Sequence, residues 1–91
     1  MVAYSSRLAV LYWKTNLSDV QNARLPDFVL QAWHRGAMHL DRDGIVYHSS
    51  RGEIRVEWGD SILKVTGPEG STELLPLKPE IFNSLFTVEE K

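Results

Sequence analysis

The chain has 91 residues, 43% hydrophobic and 24% charged, with 10 Lys and Arg against 12 Asp and Glu and a net charge of −2. These proportions exclude a disordered or fibrous chain, and the length allows one hydrophobic core, so a single domain over residues 1–91 is expected. The absence of cysteine removes disulfides, thiolate metal sites and cysteine nucleophiles together.

At the N-terminus, Arg7 to Lys14 is apolar and rich in Val, Leu, Tyr and Trp. It reads as a buried strand, with a short helix as the alternative that periodicity leaves open. Its core, Leu8 to Trp13, is the longest apolar run and far short of the roughly 18 residues of a membrane span. Neither a membrane segment nor a secretory leader is expected, which makes the cytoplasm the default location. Asn16 or Ser18 is suited to cap a short helical turn. Leu25-Pro26-Asp27 announces a helix that should run to about Arg35 and stop at Gly36. Phe28, Val29, Ala32 and Trp33 form its apolar face, and both Trp13 and Trp33 are expected in the core.

From Ala37 to Leu77 the period changes to two, punctuated by Asp43-Gly44, Ser50-Arg51-Gly52, Gly59-Asp60 and Gly67-Pro68-Glu69-Gly70. Strands are predicted near 37–42, 45–49, 53–58, 61–66 and 71–77, joined as a five-stranded antiparallel meander. The turns imply registers of Leu40 with Tyr47, His39 with His48, Tyr47 with Ile54, Ile45 with Val56, Val56 with Leu63, Ile54 with Val65, Leu63 with Leu74 and Lys64 with Glu73. One face then collects Met38, Leu40, Ile45, Tyr47, Ile54, Val56, Trp58, Leu63, Val65 and Leu74. The other collects His39, Asp41, His48, Glu53, Arg55, Glu57, Lys64 and Glu73. Pro79 followed by Ile81, Phe82, Leu85 and Phe86 predicts a C-terminal helix over about 79–89. The expected class is α+β, a meander with one helix in the N-terminal half and one at the C-terminus. A small curled barrel capped by the final helix is the alternative.

Chemistry is sparsely marked. His39 and His48 face each other in this register, with Asp41 and Glu53 beside them, a donor set that Zn²⁺ or non-haem Fe²⁺ would accept. Exposed strands supply no cavity, however, and solvated side chains with one His–Glu pair are the simpler expectation; no metal or cofactor is expected. Asp41-Arg42-Asp43-Gly44 lacks the later ligands of a calcium loop, and Gly67-Pro68-Glu69-Gly70 lacks the Lys-Ser/Thr and helix of a phosphate loop. No serine sits in a G-x-S-x-G elbow, so catalysis is not expected.

Small sheets with exposed aromatics bind single-stranded nucleic acid, but here Tyr47 and Trp58 fall on the core face and the outward face carries more acids than bases. Basic residues are spread singly along the chain. Ile62, Leu75 and Leu77 interrupt the charged face with an apolar patch, to be covered by the C-terminal helix or left open beside an edge strand near 71–77, whose pairing Pro76 would limit. The leading expectation is a non-catalytic protein-interaction module, capable of self-association, that binds through Ile62, Leu75 and Leu77 and the edge strand. The polar residues His39, Asp41, His48 and Glu53 are the second candidate surface. Nucleic-acid binding is the alternative, followed by a His/carboxylate metal-dependent enzyme.

Overall fold

Alternating and continuous apolar runs become strands, and the stripe between Pro26 and Gly36 becomes a helix. A computed structural model describes residues 2–5, 8–66, 70 and 72–88, with the side chains of 11–66, 70 and 72–86. In chain order the elements are β1 (Val2–Ser5), β2 (Leu8–Lys14), α1 (Leu17–Gln21), α2 (Asp27–His34), β3 (Met38–Asp41), β4 (Gly44–Ser49), β5 (Gly52–Glu57), β6 (Ser61–Thr66), β7 (Thr72–Leu77), α3 (Pro79–Leu85) and β8 (Thr87–Val88). The class is α+β, with two antiparallel sheets where one meander was expected. One sheet has the order β7-β6-β2-β1-β8, and the other is β3-β4-β5.

Local chemistry sets the helix ends. The Asn16 side chain accepts from the Asp19 N–H at 2.8 Å and caps α1. Pro26 is the N-cap of α2, one residue earlier than a first helical position. Gly36, with φ 79°, ends that helix in the left-handed conformation that glycine adopts without steric cost. Helix α3 stops at Leu85, short of the expected 89: Phe86 is already extended, and Thr87–Val88 pairs with β1. Neither β1 nor β8 was anticipated, and Glu89 lies outside the described residues.

The meander breaks between β5 and β6. Its first two hairpins exist, and β4–β5 has the expected register, Tyr47 with Ile54 and Ile45 with Val56. The β3–β4 turn uses Arg42-Asp43 instead of Asp43-Gly44, so Leu40 meets Ile45 and Met38 meets Tyr47. That shift of two residues preserves the faces. At Trp58-Gly59, however, the end of β2 captures the chain: the Thr15 N–H donates to the Asp60 carbonyl at 2.9 Å, and the Gly59 N–H donates to the Thr15 carbonyl at 2.9 Å. Strand β6 therefore pairs with β2, Trp13 opposite Ile62 and Tyr12 opposite Leu63, and the expected pairs Val56–Leu63 and Ile54–Val65 do not form.

The β6–β7 register is also one residue away from expectation, Leu63 with Leu75 and Lys64 with Leu74. The ladder closes on Thr66 and Thr72, leaving an odd-length connection over 67–71 that flips one strand relative to the other. Within the expected turn, Gly67, Pro68 and Glu69 lie outside the described residues.

Two clusters result. Trp13, Ile62 and Leu74 from the larger sheet meet Phe28, Val29 and Ala32 of α2 and Met38, Ile45, Tyr47 and Val56 of the smaller sheet; Trp33 and Trp58 pack against them, half-buried. On the opposite face of the larger sheet, Tyr12, Leu63 and Phe82 form a second cluster joined by Val65, Leu77 and Phe86. Strands β2 and β6 bury side chains on both faces, which explains why Tyr12-Trp13 and Ile62-Leu63 read as continuous apolar sequence. Each fully buried large side chain contributes about 1.5–3 kcal/mol.

Candidate functional site

The apolar patch expected from the sequence does not form. Ile62 is 0% exposed and belongs to the main core, on the face of the sheet opposite Leu75 and Leu77. The one-residue register difference between β6 and β7 causes this separation. Leu77 is half-buried against the Tyr12, Leu63 and Phe82 cluster, where α3 covers it. Leu75 is 44% exposed. Of the three, only Leu75 is available to a partner.

It lines a groove of about 490 Å³. One wall is Thr72–Leu75 of β7, and the other is Tyr47–Arg51 with Ile54 at the end of the β4–β5 hairpin; Arg35 and Ala37, beyond the C-terminus of α2, complete it. Leu74 is buried in the main core and Leu75 points to the other face, yet both line the groove, so their shared contribution is the edge of the strand. Strand β7 ends the order of its sheet. Among the described residues, no backbone hydrogen bond other than those of the β6–β7 ladder involves Thr72 to Leu77. Alternate residues of Thr72–Leu75 therefore present their backbone polar groups outward.

The groove is mixed in character. Leu75 and Ile54, the latter 36% exposed, supply apolar surface. Arg35, Arg51 and His48 stand against the single acid Glu73. Among the described residues, neither arginine has a salt-bridge partner. The two arginines were not singled out from the sequence, because one lies at a helix end and the other in a hairpin turn and only the fold brings them to one groove.

The polar residues of the smaller sheet do share a face. His39 is paired with Val46 and is diagonal to His48, not opposite it. The rings still meet, with His48 Nε2 3.1 Å from His39 Nδ1 and centroids 4.9 Å apart. Glu53 Oε1 lies 3.7 Å from His48 Nδ1, and Arg55 Nη1 lies 3.5 Å from Asp41 Oδ2. Val46, paired with His39 and Arg55 on this face, is buried, 6% exposed. Among the described residues, no cluster of three or more His, Asp or Glu side chains is placed to hold a metal ion.

Four other charged groups, Lys78, Glu57, Asp60 and Asp19, have side-chain partners. Lys78 Nζ donates to Glu57 Oε1 at 2.8 Å and to Asp60 Oδ2 at 3.0 Å. These bonds raise the Lys78 ammonium above the usual lysine range, and the one from Lys78 lowers the Glu57 carboxyl. Asp19 accepts from the Trp13 indole N–H and from Asn16 Nδ2, each at 2.8 Å, and both bonds lower its carboxyl. Comparison of the chain with known proteins finds no matching family model, no similar curated protein and no similar solved structure.

Proposed function

We propose that this protein is a non-catalytic interaction module that takes an extended segment of a partner protein onto the free edge of β7. The observation that carries this reading is the groove running along Thr72–Leu75, whose wall is an unpaired strand edge. A strand added there gains main-chain hydrogen bonds for affinity, while side-chain pockets on alternate residues supply selectivity. Pro76 has no N–H, so pairing is confined to Thr72–Leu75, about four residues or about 13 Å of incoming strand. Leu75 and Ile54 favour apolar side chains, and Arg35 and Arg51 favour a carboxylate among them. The same edge would also accept a second copy of the chain. No helix among the described residues is long and apolar enough to cross a membrane; the cytoplasm is the proposed location.

Selection from a library of displayed random peptides tests the reading. The expected ligands are extended, with apolar residues in alternation and an acidic residue. Leu75→Glu should weaken their binding about tenfold or more with an unchanged melting temperature, since Leu75 is already 44% exposed. Ligands that bind Leu75→Glu as well as wild type would contradict the reading. Sedimentation at rising protein concentration separates a partner segment from a second copy: a Leu75-dependent dimer would identify the second copy as the occupant.

A further inference from the structure

We propose that His39 and His48 form a chelate for a borderline divalent cation of the Zn²⁺ class on the outer face of the smaller sheet. The two ring nitrogens that face each other are 3.1 Å apart and share one hydrogen bond, whose proton a bound cation would replace, the His39 ring then carrying its proton on Nε2. At metal–nitrogen distances of about 2.05 Å, that separation subtends about 98° at the metal, between the right angle of octahedral or square-planar coordination and the tetrahedral value. Both residues are exposed, which leaves the rings free to turn their lone pairs onto one point.

The surroundings favour such a site in two ways. Glu53 lies 3.7 Å from Nδ1 of His48, while Nε2 is the nitrogen that faces His39. A carboxylate there favours the tautomer with the proton on Nδ1, leaving the Nε2 lone pair for the cation, as outer carboxylates do at histidine metal sites. The charged neighbours also suit a cation: Arg55 is paired with Asp41, and Glu53 remains as excess negative charge. Val46, the buried cross-strand partner of His39, lies on the same face. Two protein ligands leave the other positions to water or to a donor from a bound partner. Occupancy is therefore expected at metal concentrations on the order of tens of micromolar, far weaker than a four-ligand structural site.

The inference is independent of the groove reading, although His48 also touches the groove. Titration of the whole protein with ZnCl₂ at pH 7.5, followed by the ring ¹⁵N and ¹H resonances of the histidines, tests it. The expected result is a saturable 1:1 shift of the His39 and His48 rings, with the exposed His34 on α2 unmoved. His39→Ala and His48→Ala should each weaken binding about tenfold or more, and Glu53→Gln should weaken it less, with far-ultraviolet circular dichroism unchanged in all three. No saturable shift by about 200 µM Zn²⁺ would overturn the proposal, at the affinity expected of a partial ligand set. So would undiminished binding by His39→Ala or His48→Ala.

Discussion

Asp19 carries more of the core than its place in a short helix suggests. Its carboxylate accepts the indole N–H of Trp13, a side chain only 1% exposed, and the same oxygen accepts from Asn16 Nδ2, the side chain whose oxygen caps α1. Asp19→Ala leaves that N–H without its partner, and a cost of about 1–3 kcal/mol follows at neutral pH, measurable by urea unfolding. The acid dependence has a definite sign. Because the bond from Trp13 and then that from Asn16 lower the native carboxyl below its ordinary 3.8, the stabilisation is complete above that value and is lost as pH falls through the native one. The stability gap between wild type and Asp19→Ala should therefore be constant from pH 5 to 7 and shrink below about pH 4. A gap that stays constant into acid would show that the charge of Asp19 contributes nothing.

At the scale of the elements, the β4–β5 ladder depends on a glycine that the sequence marks for a different reason. Asp43-Gly44 suggests a turn needing positive φ, but the turn is Arg42-Asp43, and Gly44 is the first residue of β4, paired with Glu57. What it supplies is room: a Cβ at Gly44 would lie 1.9 Å from the Val56 carbonyl oxygen, a backbone atom that cannot swing away. Gly44→Ala should destabilise by about 2 kcal/mol or more through displacement of β4 from β5, read as a fall in the urea midpoint at unchanged slope. Apolar composition made β2 legible, and periodicity with turn chemistry made β3 to β7, α2 and the start of α3 legible, because each is governed by neighbours in sequence. Strand partners were less so. The exchange of β5 for β2 as the partner of β6 depends on hydrogen bonds between Thr15 and the turn at Gly59-Asp60, including Thr15 Oγ1 to the Asp60 carbonyl at 2.8 Å, and such distant bonds leave no periodic trace. Of the candidate residues, the histidine face was legible from parity alone, since a two-residue shift preserves it. Ile62 was misplaced because a one-residue shift does not.

For the molecule as a whole, the second face of the larger sheet changes where a partner can bind. A one-sided sheet would have left Ile62 beside Leu75 on a surface. With α3 packed over Tyr12 and Leu63, and α2 with the smaller sheet packed over Trp13 and Ile62, the larger sheet is buried on both faces around β2 and β6. Its edge at β7 is open to a strand and is bordered by the hairpin that carries Arg51. Amide hydrogen exchange with a selected peptide bound tests that edge most directly. Alternate amides within Thr72–Leu75 are expected to exchange rapidly in the free protein and to slow at least about tenfold on saturation, with no comparable change in β3. Slow exchange of those amides in the free protein, or protection on binding confined to another element, would contradict this expectation.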